Sequence, residues 1–483
     1  MKKKIFIFIT SLVLLSSCGF RFTWSVDSQL SIGDDANNFY RVDKDLRYTP
    51  KEVNSEIGWV TSSTVGEQKF LIVPVVLANY KNSVRYSWTE AKLNDLNTAF
   101  FGNGEGTTFE SVRSYFEKSS YGQLSITGEV TDVFESSFTY DELSSYGKQS
   151  ASKIIREWYS AQTNTALMRK YDTDSDGFID NCIFIYSNEQ NSNREVMPFW
   201  AWCSAEMGTP NINKPAVNNY MWASFFFMNE MYSDRYNSSK LETHTYIHET
   251  GHLLGLDDYY CYDTKNPWNA AGKLDMQSYN VGDHNAFSKL TLGWIKPYVV
   301  TGNAKITLKT SSKYPEAILI NNHWNGSSYD EYLLIEYYTP FGLNEVDSQH
   351  AFNPSTKMYT NKGLRIYHVD ARFVKTTVKD GYLVSSDNYV DTLTNGREYY
   401  TVVGASNSVE RSYLKSNVDK YRLLHLLDQG ENNKLNNGKG GTIYPNSTLW
   451  DGKKSLLHQV NSSLMELASM MDQRLVIAFQ LLV

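Results

Sequence analysis

Residues 245–259 read Thr-Tyr-Ile-His-Glu-Thr-Gly-His-Leu-Leu-Gly-Leu-Asp-Asp-Tyr, and this stretch decides the fold. His248 and His252 are four residues apart, so a helix would present both imidazoles on one face, within reach of a single metal ion. Glu249 would sit beside the pair, where it can hold a metal-bound water instead of ligating. His244 continues the series, but roughly 12 Å of helix separates it from His252, so packing suits it better. The spacing therefore predicts a metal-binding helix.

The residues after His252 extend the pattern. Gly255 can adopt the left-handed conformation that ends a helix, so the chain can turn back and bring a third ligand to the metal. Asp258 follows His252 by six residues and completes the pattern His-Glu-x-x-His-x-x-Gly-x-x-Asp. Asp257 remains the alternative, because both aspartates are oxygen donors and differ by one position. Three protein ligands leave a fourth position for water, which is the arrangement of catalytic zinc.

A second acidic motif lies earlier in the chain. Residues 172–180 read Asp-Thr-Asp-Ser-Asp-Gly-Phe-Ile-Asp, with carboxylates on alternate residues and a glycine for the sharp turn, as calcium loops require. The twelfth position, Ile183, cannot supply the bidentate oxygen of an EF-hand, so we expect a structural calcium loop of another kind. A solvated acidic turn without metal is the alternative. The expected calcium ligands are Asp172, Asp174, Asp176, Phe178 and Asp180.

The N-terminus has the pattern of an export signal. Three lysines at positions 2–4 precede an apolar run over residues 5–15, which is too short to span a bilayer as a mature helix. The following Leu-Ser-Ser-Cys18 resembles a bacterial lipobox, which implies lipidation of Cys18. We therefore expect residues 1–18 to be a lipoprotein signal peptide and the rest to face outward, anchored to a bacterial membrane. An ordinary cleaved signal with an incidental cysteine is the alternative.

Length and composition bound the architecture. About 460 residues follow Cys18, which is long for one core, so two or three domains are expected. The net charge of −7 is mild and the basic residues are scattered, which argues against nucleic acid as a partner. Residues 19–65 are polar and without periodicity, which predicts a linker or short pro-segment. Residues 66–300 mix helical and strand patterns, whereas residues 301–483 consist largely of strand-like stretches.

The region around the two histidines is similar to the active region of the M6 metallopeptidases, the immune inhibitor A family. Residues 274–279 (Leu-Asp-Met-Gln-Ser-Tyr), 282–289 and 292–295 resemble the part of that family that follows the active helix. Further stretches resemble M6 segments, and they extend the resemblance over roughly residues 68 to 480. These further stretches are residues 111–125, 198–202 and 363–370.

The resemblance implies an α+β fold, with a zincin-like metallopeptidase catalytic domain over residues 66–300 and a β-sandwich-like domain over residues 301–483. It also implies that Met276 is the Met-turn residue beneath the metal. Tyr279 and His284 lie close to Met276 in sequence, which makes them candidates for stabilising the oxyanion, Tyr279 foremost. Asp257 stands where many relatives carry proline, so the choice between the two aspartates stays open.

These features together predict a membrane-tethered zinc endopeptidase that hydrolyses extracellular proteins. Zinc would activate a water and polarise the scissile carbonyl, and Glu249 would act as the general base without a covalent intermediate. The alternative is a catalytically silent surface protein that keeps the zincin scaffold and binds glycan or protein through its β-rich half. The presence of Glu249 with both histidines and an aspartate favours the enzyme.

Overall fold

The structure is a computed structural model. It describes residues 6–9, 20–24, 29–55, 58–191, 198–206, 208–260, 271–321, 323–352, 357–379, 382–390, 399–402, 423–427, 448–450 and 480–482. The chain divides into a central unit, Pro50–Leu256, and a terminal unit, Met1–Thr49 with Asp257–Val483.

Helices and strands alternate in the central unit, and strands dominate the terminal unit. The strands among the described residues are β1 (Phe6–Ile9), β2 (Phe20–Trp24), β3 (Gln29–Arg41), β4 (Gly66–Val76), β5 (Leu124–Val130), β6 (Phe134–Glu135), β7 (Phe178–Ile179), β8 (Cys182–Tyr186), β9 (Trp202–Ala205), β10 (Ala216–Val217), β11 (Asn219–Ser224), β12 (Tyr298–Lys309), β13 (Ile318–Ile320), β14 (Glu331–Tyr338), β15 (Gly363–Asp370), β16 (Phe373–Lys379), β17 (Tyr382–Val390), β18 (Tyr399–Val402), β19 (Leu424–Leu426) and β20 (Gln480–Leu482). The α-helices in the same ranges are α1 (Pro50–Ser55), α2 (Glu90–Phe101), α3 (Val112–Ser119), α4 (Tyr140–Ser145), α5 (Ser150–Ala161), α6 (Thr165–Lys170), α7 (His244–Leu253), α8 (Ala286–Thr291) and α9 (Glu345–Gln349).

The central unit is built on a mixed sheet in the order β5-β4-β8-β11-β9. Strands β5, β4, β8 and β11 run parallel, and β8 and β11 are buried along their whole length, as expected for parallel strands covered on both faces. Strand β9 pairs antiparallel with β11 and ends the sheet. Helix α5 packs Ile154 and Trp158 against one face, where Leu71, Val73 and Phe184 point.

Pro74 lies inside this sheet, although its missing N–H predicts an edge or a bulge. On one side of β4, strand β5 ends opposite Ile72, and β6 begins opposite Val75. Ile72 accepts a hydrogen bond from Thr131 on that side, and Pro74, two residues on, points the same way. Proline therefore occupies the gap where one neighbouring strand replaces another, so the sheet has no ladder bond to lose there.

The terminal unit contains a nine-stranded sheet in the order β19-β15-β14-β13-β12-β3-β2-β1-β20 and a three-stranded sheet of β16, β17 and β18. Strand β3 pairs antiparallel with β12, and the Phe39 ring packs edge-on against Tyr298 with centroids 5.9 Å apart. Residues 19–65 were expected to be a linker or pro-segment. The described residues of this stretch contain β2, β3 and α1, and the expected domain bounds at residues 65 and 300 stay predictions.

Three of the strand-like stretches expected after residue 300 are strands, namely β12, β14 and β15. Arg474 to Phe479, another such stretch, lies outside the described residues, as does Cys18, the expected lipidation site. None of the helices in the described ranges has the length and apolar character needed to cross a membrane. The architecture is mixed α and β, and its assignment to a zincin-like domain with a β-sandwich stays a prediction.

Candidate metal centre

Helix α7 carries the two histidines, and both of its ends are fixed. At its N-terminus the carboxylate of Glu242 accepts hydrogen bonds from the backbone N–H groups of Thr243 (2.9 Å) and His244 (3.0 Å). Backbone N–H groups at the start of a helix have no partner within the helix, and the Glu242 side chain supplies one. Inside the unit, the Tyr246 hydroxyl donates to the carbonyl of Ser224 at 2.7 Å. These contacts hold α7 against strand β11.

The C-terminal end of α7 turns at Gly255, whose φ is +98°. The N–H of Leu256 donates to the carbonyl of Gly251 (2.9 Å), and the N–H of Gly255 donates to the carbonyl of His252 (3.0 Å). This bonding pattern is the Schellman motif, which reverses the chain after a helix. A side chain at position 255 would be strained there, and its Cβ would lie 2.6 Å from Pro50. The turn returns the chain towards the histidines, as the sequence predicts.

The structure brings His248, His252 and Asp258 together. One ligand atom from each lies within 4.8 Å of the others, and the two histidine Nε2 atoms are 3.1 Å apart. Two nitrogen ligands of a tetrahedral zinc ion would be about 3.3 Å apart, given typical Zn–N distances. His248 and Asp258 are buried and His252 is half-buried. Two imidazoles and a carboxylate at this spacing fit a zinc ion.

A backbone contact sets the tautomer of His252. Its Nδ1 lies 2.7 Å from the carbonyl oxygen of Leu256. A carbonyl can only accept, so Nδ1 must carry the proton, and the lone pair of the neutral ring is left on Nε2. Nε2 is the atom that faces His248. The helix-ending turn therefore also leaves the Nε2 lone pair of His252 available to a metal ion, a feature that the sequence pattern does not reveal.

The alternatives in the sequence occupy other positions. Asp257 is half-buried and is not part of the three-residue group, and the His244 ring is centred 6.0 Å from that of His248. Glu249 is buried on α7, and its backbone carbonyl accepts a hydrogen bond from the thiol of Cys203 on strand β9 (3.1 Å). This contact ties the edge strand of the sheet to the helix at the residue after His248.

The other expected site residues belong to the terminal unit. Met276 is fully buried, the Tyr279 ring packs against Tyr260 with centroids 5.3 Å apart, and His284 is buried beside the ring of Trp294. Their roles as Met-turn and oxyanion donors stay predictions. The carboxylate of Asp275, which sequence reasoning passed over, anchors this stretch by accepting from Gln277 and Asn285.

The acidic loop forms a second group of ligand atoms. One carboxylate oxygen each from Asp172, Asp174 and Asp176 lies within 4.8 Å of the others. The φ of Gly177 is +87°, and a Cβ there would lie 2.6 Å from the backbone nitrogen of Asn211, so only glycine fits. Lys51 forms an ion pair with Asp174. The loop thus has the tight glycine turn that its sequence predicts.

Phe178 and Asp180 complete the expected ligand set. Phe178 begins the short strand β7, and Asp180 lies outside the three-residue group. Oδ2 of Asp180 accepts from both the N–H and the hydroxyl of Thr173, and burial raises the pKa of the Asp180 carboxyl to about 6. The Asp180 carboxylate therefore acts as a hydrogen-bond acceptor within the loop.

Comparison with known proteins gives little beyond a distant likeness. No model of a known protein family matches the chain, and no curated protein matches it. Among solved structures, metalloproteinase-II from Bacteroides fragilis is similar with 12% sequence identity and a TM-score of 0.21, over 50% of this chain and 73% of that one. A likeness at this level assigns no function to the chain.

Proposed function

We propose that the chain is a zinc-dependent endopeptidase of the M6, immune inhibitor A-like kind. The observation that carries the proposal is the convergence of His248, His252 and Asp258 at the end of one helix, with Glu249 next to the first ligand. His248 is buried, and the half-buried His252 keeps its Nε2 lone pair available because its Nδ1 contacts the carbonyl oxygen of Leu256. Three protein ligands leave room for water and substrate, as a catalytic site requires.

The chain's own residues have distinct tasks in this reaction. Zinc, when bound, would polarise the scissile carbonyl and lower the pKa of a water molecule at the fourth position. A carboxylate oxygen of Glu249 would accept the proton of the attacking water and pass it to the leaving nitrogen. The backbone carbonyl of Leu256 holds the proton of His252 on Nδ1 throughout. The peptide bond is then cleaved without a covalent intermediate.

Strand β9 supports a polypeptide as the substrate. It ends the central sheet, and no strand among the described residues pairs with its outer edge. An extended peptide can add to such an edge through main-chain hydrogen bonds, which recognise any sequence. Cys203 points from β9 towards Glu249, so a peptide on this edge would run beside the helix that holds the general base. A glycan has no matching ladder of donors and acceptors.

We extend the proposal to a calcium ion in the acidic loop. Asp172 is buried, and its Oδ1 has no hydrogen-bond partner in the described part of the chain, while Oδ2 accepts from Gly177. A buried carboxylate oxygen without a donor is costly unless a cation neutralises it. Calcium prefers oxygen ligands of this kind. The ion would stabilise the loop that leads into strand β8 and would take no part in the chemistry.

We also propose that residues 1–18 are the export signal that their sequence predicts. Export and lipidation at Cys18 would place the enzyme on the outer face of a bacterial membrane, where extracellular proteins are its substrates.

The test compares casein cleavage by the purified chain and by Glu249→Gln, with bound zinc measured in both. We expect one zinc per chain in each, and a loss of cleavage in the variant of about 10²–10⁴-fold, the usual contribution of a general base. Glu117→Gln, at an exposed glutamate on α3, is the matched control and should keep full activity. Zinc binding without cleavage by the unaltered chain would contradict the peptidase, and absence of zinc would remove its basis.

A further inference from the structure

Residues 50–55 and 58–62, called the brace here, contact the turn that ends α7, three residues after His252, and also contact the acidic loop. Helix α1, the first part of the brace, lies against the turn that ends α7. A Cβ built on Gly255 would be 2.6 Å from Cβ of Pro50 and 3.1 Å from Nδ2 of Asn54. The Asn54 amide also donates to the Thr61 hydroxyl at 2.8 Å, which joins the two parts of the brace. The brace therefore supports the turn from outside.

The same segment holds the acidic loop at two points. The ammonium group of Lys51 pairs with the carboxylate of Asp174, one of the three clustered aspartates. The hydroxyl of Ser62 donates to the backbone carbonyl of Asp180 at 2.9 Å. Movement of the loop would therefore be transmitted to both parts of the brace.

A third set of contacts links the brace to α7 through strand β11. The N–H of Val60 donates to Oδ1 of Asn218 at 2.9 Å, and the neighbouring Asn219 amide donates to the carbonyl of Leu253 at 3.4 Å. Leu253 is the last residue of α7. The C-terminal end of α7 is therefore contacted in two ways. Helix α1 packs against the turn at Gly255, and Asn219, next to the Asn218 that Val60 contacts, bonds to Leu253.

The acidic loop has an independent sign of a ligand. Asp172 is only 8% exposed, and its Oδ1 has no hydrogen-bond partner among the described residues, although the side chain belongs to the three-carboxylate group. An anionic oxygen buried in this way needs a cation or a proton. Lys51 contacts Asp174 and leaves Asp172 to be satisfied by something else.

We propose that the brace couples the two sites, so that a divalent cation in the acidic loop raises the zinc affinity of His248, His252 and Asp258. The proposal rests on the proposed function, because it assumes zinc at that site. A cation bound by Oδ1 of Asp174 would fix this side chain while Oδ2 keeps its ion pair with Lys51, and the fixed pair would order α1 against Gly255. The turn that holds His252 then loses less conformational freedom when zinc binds, which gives positive coupling without a change of shape.

The test measures zinc affinity by competition with a chromogenic chelator, with and without calcium, so that the readout does not depend on activity. We expect calcium to raise the zinc affinity of the unaltered chain about fivefold or more, a typical coupling between linked sites. Lys51→Met should reduce this factor to near one. Lys81→Met is the matched control, since Lys81 also pairs with a carboxylate, Glu135, at the surface. The control should keep the full factor.

Two further measurements test the coupling between the sites. Lys51→Arg preserves the positive charge and should preserve the coupling, which separates the ion pair from a general loss of folding. Zinc should in turn raise calcium affinity by the same factor, because coupling is reciprocal. The coupling proposal would be wrong if calcium raised zinc affinity equally in the parent and in Lys51→Met. It would also be wrong if calcium left the zinc affinity of the parent unchanged. If calcium raises zinc affinity but casein is not cleaved, only the proposed peptidase activity is refuted. If casein is cleaved but calcium does not change zinc affinity, only the proposed coupling through the brace is refuted.

Discussion

At the scale of single residues, the candidate ligand His252 is oriented by the backbone carbonyl of Leu256, 2.7 Å from its Nδ1. His248, Glu249 and His252 follow from spacing along a helix, a local property that the fold cannot easily alter. The sequence leaves Asp257 and Asp258 as alternatives, because a turn can rotate either side chain inward. The contact between His252 and the carbonyl of Leu256 involves a backbone atom, so no residue type marks it.

The choice between the two aspartates gives a first prediction. Asp258→Asn should lower zinc affinity by more than the about 10–100-fold that loss of an outer hydrogen-bond partner costs, because it removes a charged ligand. Asp257→Asn should leave zinc affinity nearly unchanged, since Asp257 lies outside the ligand group. Competition titration with a zinc chelator measures both variants. A larger effect at position 257 would reverse the assignment.

At the scale of secondary-structure elements, long-range contacts decide what local patterns cannot. The apolar run of β4 predicts its strand, but only the replacement of β5 by β6 explains how Pro74 fits inside the sheet. Helix α7 is predicted from its histidines, yet its N-terminal cap is the carboxylate of Glu242, one residue earlier than the Thr243 that a capping pattern would suggest. Helix α1 supports the turn after α7 from about 200 residues away, so no local pattern reveals the brace.

The cap of α7 predicts how stability depends on pH. Burial raises the pKa of Glu242 from 4.5 to about 7, despite its hydrogen bonds to the backbone. Between pH 4.5 and 7, the Glu242 carboxyl is ionised in the unfolded chain but still protonated in the folded chain. The contribution to stability is therefore complete below pH 4.5 and is lost as the pH rises through 7.

Glu242→Gln should remove this part of the pH dependence. The glutamine side chain stays neutral at every pH. The free energy of unfolding should therefore fall less steeply between pH 5 and 7 in the variant than in the parent. The difference in slope is at most about 1.4 kcal/mol per pH unit, the value for one proton. Denaturant unfolding at several pH values measures the slope, and Glu117→Gln serves as the exposed control. Parallel curves for Glu242→Gln and the parent would mean that Glu242 is already ionised at low pH in the folded chain.

At the scale of the whole molecule, the terminal unit is assembled from segments far apart in sequence, whereas the central unit is one continuous stretch, Pro50–Leu256. Strand β3 is paired with β12 more than 250 residues later, so a polar stretch that locally resembles a linker is an internal strand of the terminal sheet. The mixed α and β composition and the increase in strands after residue 300 were predictable from periodicity. The pairing of the N-terminal segment was not, because alternation in one strand does not identify its partner.

The last prediction concerns how far one ion stabilises the central unit. If calcium binds the acidic loop of the folded chain alone, a concentration 100 times its Kd should stabilise the fold by about 2.7 kcal/mol. For a unit of this size, that corresponds to a rise in Tm of about 5–10 °C. Thermal unfolding with and without calcium measures the shift. Asp172→Asn should abolish it, because the variant removes the charge of the buried carboxylate, whereas Asp132→Asn, at an exposed aspartate, should retain it. An unchanged shift in Asp172→Asn would place the calcium elsewhere in the chain, and the acidic loop would then be a solvated turn held by Lys51.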